Sequence, residues 1–435
     1  MIIHVVKSGE TLTSIADYYG VTAAKLIQDN DIINPNELVV GQTIVIAYPE
    51  QTYTVTEGDT LEGIASRFNV SILQLLRNNP SVSDRTYLEI GETLVISYKT
   101  GRQITTNGFA YGFIEKSTLI KTLPYLTFLS LFNYTVTKDA ELIPYFDETE
   151  MIQLAKAYDV IPLMTLTTLT TSGVPDLAAA NQILLSESLQ EHLADNTLKV
   201  IQAFGYSGVN ITFSYLGELN QELYYNLLSK LYNRLKPEGY LVFSTINPNI
   251  RDIGNRVDFS QVNYGALSEF ADSLGFSNFV WGTNYGPPAP VSSNYNLRVF
   301  LDYITPMTPG NKIEIGTPVI GYDWELSYIS SIDSNATSLT INAAIQLASN
   351  LSTSIDFDET SQTPYFLYNQ TNYYGLPARH IVWFIDARTI NSILDLIMEY
   401  GLQGKAIWNV MIFYSQMWLI INSQYEIVKF AELIK

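Results

Sequence analysis

The sequence predicts a multidomain α/β chain: two copies of a small β-α-α-β module, then a TIM-type (β/α)8 barrel carrying an inserted α+β subdomain. Three observations lead there. The opening hundred residues repeat with a period of about 49 to 50 residues. After them, apolar strand-like runs alternate with amphipathic helical stretches, the mark of a parallel sheet with crossover helices. Late in the chain a polar, Asn/Ser/Thr-rich segment at about 322–384 interrupts that alternation. A chain of 435 residues exceeds one ordinary domain, which fits this division.

The repeat is specific. Val6-Lys7-Ser8-Gly9-Glu10-Thr11-Leu12 matches Val55-Thr56-Glu57-Gly58-Asp59-Thr60-Leu61, and Ile15-Ala16 matches Ile64-Ala65. Further on, Asn30 pairs with Asn79, Gly41 with Gly91 and Val45-Ile46 with Val95-Ile96. Each copy opens with a β-branched run, turns at Gly9 or Gly58, and enters a helix whose apolar Leu12, Ile15 and Ala16 (Leu61, Ile64, Ala65) share one face. A second short helix and a closing strand complete the unit. The modules are expected at 1–49 and 50–99, with a linker around Lys99 to Arg102 and the barrel over 103–435.

Eight barrel strands are expected: Thr106 to Phe113, Thr127 to Asn133, Val160 to Thr165, Gly208 to Phe213, Tyr240 to Thr245, Asn278 to Trp281, Ile313 to Val319 and Lys405 to Val410. The polar segment at about 322–384 falls between the seventh strand and its helix, where it forms the inserted subdomain.

Composition narrows the function. Lys and Arg number 24 against 43 Asp and Glu, a formal charge of −19 that repels phosphate backbones and anionic lipid, so nucleic acid is not an expected partner. There is no cysteine, which removes disulfides, thiolate metal sites and cysteine nucleophiles. His4, His192 and His380 are far apart and read as structural or surface residues, with no metal and no cofactor expected. The opening Met1-Ile2-Ile3-His4-Val5-Val6-Lys7 has no basic leader, and no long apolar run follows, so synthesis in the cytoplasm without membrane insertion is expected. Delivery outside the cell would then need lysis, assembly or an unconventional route.

The repeated module resembles LysM, a family that binds N-acetylglucosamine polymers such as peptidoglycan or chitin. Carried over by position, the resemblance implies a glycan groove of Gly9, Glu10, Thr11 and Leu12 with Ile33 and Asn34, and of Gly58, Asp59, Thr60 and Leu61 with Asn79 and Pro80. The plainer reading is that the threonines cap helices and the glycines turn the chain.

The barrel resembles family 18 glycoside hydrolases, in the branch with N-terminal LysM repeats among spore-cortex N-acetylglucosaminidases. The strings that carry this are Gly205-Tyr206-Ser207-Gly208-Val209-Asn210, Trp281-Gly282 with Tyr285-Gly286-Pro287-Pro288, Gly321-Tyr322-Asp323-Trp324, Trp383-Phe384-Ile385-Asp386-Ala387-Arg388 and Trp408. That family uses the substrate's own acetamide oxygen as nucleophile, with a strand-four D-x-x-D-x-D-x-E whose Glu is the acid. The resemblance implies cleft positions at Tyr285, Tyr322, Asp323 and Trp408.

Here the strand-four stretch reads Ser207-Gly208-Val209-Asn210-Ile211-Thr212-Phe213-Ser214, placing Thr212 at the orienting Asp and Ser214 at the acid. The strand-six motif aligns with Phe279 and Val280, without its tyrosine and carboxylate. A serine hydroxyl is too weak an acid, and a missing general acid costs about 10² to 10⁴ in rate. Glu218 and Glu222 follow the motif but fall in the next loop and helix, where acidic residues suit the helix start.

The expectation is therefore a non-catalytic wall or spore-envelope protein that binds N-acetylglucosamine-containing glycan through its LysM modules, with the barrel as scaffold or lectin-like domain. One alternative is a self-assembling coat, lattice or filament protein, suggested by 30 tyrosines and the lost motif, hence a homo-oligomer. The other is an active N-acetylglucosaminidase whose acid lies elsewhere.

Overall fold

The structure, a computed structural model, describes residues 1–83, 85, 87–170, 174–213, 216–254, 256–277, 288–326, 336–371 and 375–429. Each opening module pairs its first and last strands antiparallel, Ile2–Val5 with Thr43–Ile46 and Gln51–Thr54 with Thr93–Ser97. Between them lie helices Leu12–Tyr19 and Ala23–Asn30, or Leu61–Phe68 and Ile72–Asn78. Thr11 and Thr60 cap the first helices by accepting the Ser14 and Gly63 amides. Left-handed backbone at Gly20 and Asn69 ends those helices.

A buried asparagine closes each module. Asn30 donates to the Leu26 and Val45 carbonyls and accepts the Val45 amide, and Asn79 does the same with Leu75 and Val95.

The barrel strands are Arg102–Tyr111, Phe128–Val136, Ile161–Thr167, Gly208–Ile211, Leu241–Ile246, Ser273–Phe276, Ile313–Pro318 and Gly404–Trp408, parallel throughout and closed by the pairing of the first with the second and the eighth. Seven overlap the expected strands. The sixth is a correction: Ser273–Phe276 pairs with strands five and seven, upstream of the expected Asn278 to Trp281, which lies outside the described residues. Its small Ser273 and Gly275 alternate with core-packed Leu274 and Phe276, a weaker apolar run than the aromatic string that follows.

Among the described residues the insertion is a five-stranded antiparallel sheet that includes Gly321–Leu326, Thr363–Thr371 and Pro377–Trp383, with one helix, Ile341–Asn350.

The modules are docked on the barrel. From the last helix, Ser415–Gln424, the buried Gln416 donates to Asn30 Oδ1 at 3.1 Å and the Thr43 carbonyl at 2.7 Å, gripping the first module. Two turns on, Asn422 donates to Asn78 Oδ1 at 2.7 Å and accepts from Arg77 Nε at 3.1 Å, gripping the second. The first module also meets the insertion, where the Ile355 amide donates to the Val40 carbonyl at 2.8 Å.

Candidate active site and glycan grooves

TIM-barrel chemistry belongs at the C-terminal rim of the strands. There a cavity of about 270 Å³ lies between strand eight and the insertion, lined by Pro318, Tyr322, Leu339, Thr340, Trp408 and Asn409 among others. Trp408 is half-buried, with Phe132 at 4.9 Å, Phe109 at 5.5 Å and Tyr111 at 6.0 Å between ring centroids. It therefore packs against an aromatic cluster from strands one and two while also presenting surface to the cavity. Tyr322 lines the cavity from the insertion, and burial raises its hydroxyl pKa.

Asp323 does not join them, which corrects its expected place in the cleft. Consecutive strand residues point to opposite faces, so Asp323 turns away from Tyr322. Its carboxylate accepts from the Tyr368 hydroxyl at 2.5 Å and bonds His380 Nδ1 at 3.1 Å. Tyr285, Ser214, Phe279 and Val280 lie outside the described residues.

Of the strand-four positions that are described, Ser207 sits at the foot of the strand, its amide donating to the Pro162 carbonyl. Thr212 is buried at the top, and both its amide and its hydroxyl donate to the Leu166 carbonyl, at 2.8 and 3.1 Å. Asn210 occupies the barrel interior within a chain of buried polar groups. Its amide donates to Ser130 Oγ at 3.1 Å, Ser130 donates to Asn107 Oδ1 at 2.9 Å, and Asn107 donates to Glu314 Oε2 at 3.1 Å. Thr245 donates to Asn210 Oδ1 at 2.9 Å.

Glu314 is 1% exposed with its Oε1 unpartnered among the described residues, and burial pushes its carboxyl up to about 7. Glu314 is not among the candidate residues expected from the sequence. The available signal was an acid at an inward position of the apolar run Ile313-Glu314-Ile315.

Glu218 is exposed and accepts the Gln261 amide at 3.1 Å, so it fastens a loop, while exposed Glu222 stands in the first turn of helix Gln221–Leu235. Among the described residues no group of three or more His, Cys, Asp or Glu could hold a metal ion.

In the LysM modules, Gly9 and Gly58 turn with φ of 84° and 87°. Glu10 accepts the Lys7 amide at 2.7 Å and Asp59 the Thr56 amide at 2.7 Å, bonds that lower both carboxyl pKa values. Leu12 is buried in the module core and Leu61 packs against its own. Ile33 is 61% exposed, and Asn34 reaches the insertion, donating to Gln346 Oε1 at 2.7 Å.

Asn79 is a correction. Its amide is consumed in closing the second module, the role of Asn30 in the first, so it does not face a groove. Pro80 begins a short 3-10 turn beside it. The second-module counterparts of Ile33 and Asn34 in repeat register are Val82 and Ser83.

The chain belongs to family 18 of the glycosyl hydrolases. The Glycosyl hydrolases family 18 model matches residues 175–411, and the LysM domain model matches 4–47 and 53–97. Over its whole length the chain is similar to the cortical fragment-lytic enzyme of Bacillus subtilis (strain 168), 31% identical with 99% of each chain covered. It is similar in structure to the spore cortex-lytic enzyme SleL of Bacillus megaterium QM B1551, at 30% identity, 98% coverage of each chain and a TM-score of 0.76. SleL of Bacillus cereus gives 27% identity, 98% coverage and a TM-score of 0.78.

These relatives overturn the expectation of a non-catalytic protein. Chains similar to this one over nearly its whole length are named as lytic enzymes, so neither the glycan-binding scaffold nor the self-assembling coat or filament stands. The expectation took the carboxylates missing at Thr212, Ser214 and Val280 and the tyrosine missing at Phe279 as the absence of activity. A general acid is one contribution to the rate among several, and binding and positioning act without it.

Proposed function

We propose that the chain is a glycosylase of spore-cortex peptidoglycan, held on N-acetylglucosamine-containing strands by its LysM modules and cleaving them at the rim of the barrel. The end-to-end likeness to cortex-lytic enzymes carries this reading, since it extends over both modules and the barrel. The cavity beside Trp408 and Tyr322 supports it by offering an aromatic wall to a sugar ring. The same relatives favour a spore or wall location.

In the family chemistry the nucleophile is the substrate's acetamide oxygen, so the protein's task is to bind, orient and supply a proton. Read by resemblance to the family motif, Thr212 and Ser214 stand where that chemistry has carboxylates. Thr212 spends its hydroxyl proton on the Leu166 carbonyl and holds the strand end. Leaving-group protonation is then the slow step. Thr212→Asp combined with Ser214→Glu is expected to raise kcat by at least about 10², measured as reducing ends released from cortex fragments. No gain, with the variant folded, would contradict this reading of the two positions.

Trp408→Ala tests the cavity. It is expected to lower kcat/KM by roughly tenfold or more, through loss of an aromatic contact and its supporting cluster. Kinetics equal to those of the unaltered protein would move the active site elsewhere.

A further inference from the structure

The insertion helix Ile341–Asn350 meets the rim cavity at its start and, along its length, the Ile33–Asn34 side of the first module's proposed groove. Its lead-in, Ser338, Leu339 and the capping Thr340, lines the cavity beside Trp408. Along its length, Asn342, Ile345, Gln346 and Ser349 recur at the spacing that places residues on one helix face. That face forms the wall of a second cleft, and the opposite wall is the first module's loop, including Ile33, Asn34 and Glu37. From Asn342 to Ser349 the helix rises about 10 Å, and Thr340 lies within one further turn.

From this we infer that the helix face is a glycan track, along which a strand held at the Ile33–Asn34 loop continues across Ser349, Gln346 and Asn342 and enters the barrel cavity at Thr340. The inference rests on the glycan-binding reading of the LysM modules. The chemistry of the track suits a neutral, hydroxylated and N-acetylated polymer: amides and a hydroxyl on the helix, with exposed Ile33 for an acetamide methyl or a sugar face. The side chains of Asn342, Ser349 and Glu37 bond none of the described residues, so their polar groups are available to sugar hydroxyls. The bond from Asn34 to Gln346 fixes the loop against the helix, and the Ile355–Val40 backbone bond fixes the insertion against the module, so the two walls are held in register. The first module then acts as a distal subsite of the barrel as well as an anchor.

Titration calorimetry with soluble chitooligosaccharides tests this. A short probe spans the module loop alone, and a long one reaches the cavity. The unaltered protein should bind the long probe roughly tenfold or more tightly than the short one, because the second contact is intramolecular. Asn342→Ala with Ser349→Ala, which leaves the Asn34–Gln346 bond in place, should remove most of that gain while weakening the short probe by much less. Ser349→Trp, which obstructs the same face, should act likewise. Equal affinities for the two probes, or a length preference that survives both variants, would overturn the track alone. Failure of either probe to bind would overturn the LysM reading and the track with it.

Discussion

At the scale of single residues, the groups that matter most are buried polar side chains whose partners lie far away in sequence. Glu314 is the clearest. Its carboxyl has an ordinary value of 4.5 and sits at about 7 in the folded barrel because burial penalises its charge. The folded state therefore binds more protons than the unfolded chain between those values, and stability falls as pH rises through that window. Glu314→Gln keeps an acceptor for Asn107 and cannot ionise. It should match the unaltered protein at pH values below the window and exceed it above, by up to about 3 kcal/mol, in urea denaturation across pH. Parallel stability curves would show that Glu314 is not charged at the cost its burial implies. Asn30 and Asn79 show what the sequence did and did not make legible. Their equivalence was visible in the repeat, but that both amides close the modules internally required the bonds to Val45 and Val95. The capping threonines were readable because their partners are three residues away.

At the scale of elements, most strands and the module helices follow from local pattern, and the exceptions have physical reasons. Strand six runs through Ser273 and Gly275, small residues on the barrel side, so its apolar signal is weaker than that of the aromatic string downstream. Asp323 seemed to share the cleft with Tyr322 because the two are adjacent in sequence, yet strand alternation separates them. The docking of the modules was not legible, since Gln416 and Asn422 lie more than three hundred residues from Asn30 and Asn78. Gly41 marks the tightest point of that contact: its φ is +89°, and a Cβ there would lie 1.9 Å from the Ile355 carbonyl oxygen. Gly41→Ala should force the first module away from the insertion and destabilise the contact by more than about 1 kcal/mol. Hydrogen exchange at the Ile355 amide, which donates to Val40, should quicken. Unchanged protection would mean that the interface yields without opening.

At the scale of the whole molecule, the modules and barrel form one connected body in which the first module, the insertion helix and the rim cavity follow one another. The architecture and the family were legible from the repeat and a few strings. The non-catalytic reading weighed the motif positions without the rest of the molecule, which is similar over nearly its whole length to enzymes named as cortex-lytic. The most direct test of the central claim is to incubate the full chain with purified spore-cortex fragments and follow the products by mass spectrometry. Shorter fragments with new N-acetylglucosamine reducing ends are expected, accumulating slowly and faster with the Thr212→Asp, Ser214→Glu variant. Fragments that bind the protein and remain uncut by both forms would contradict it.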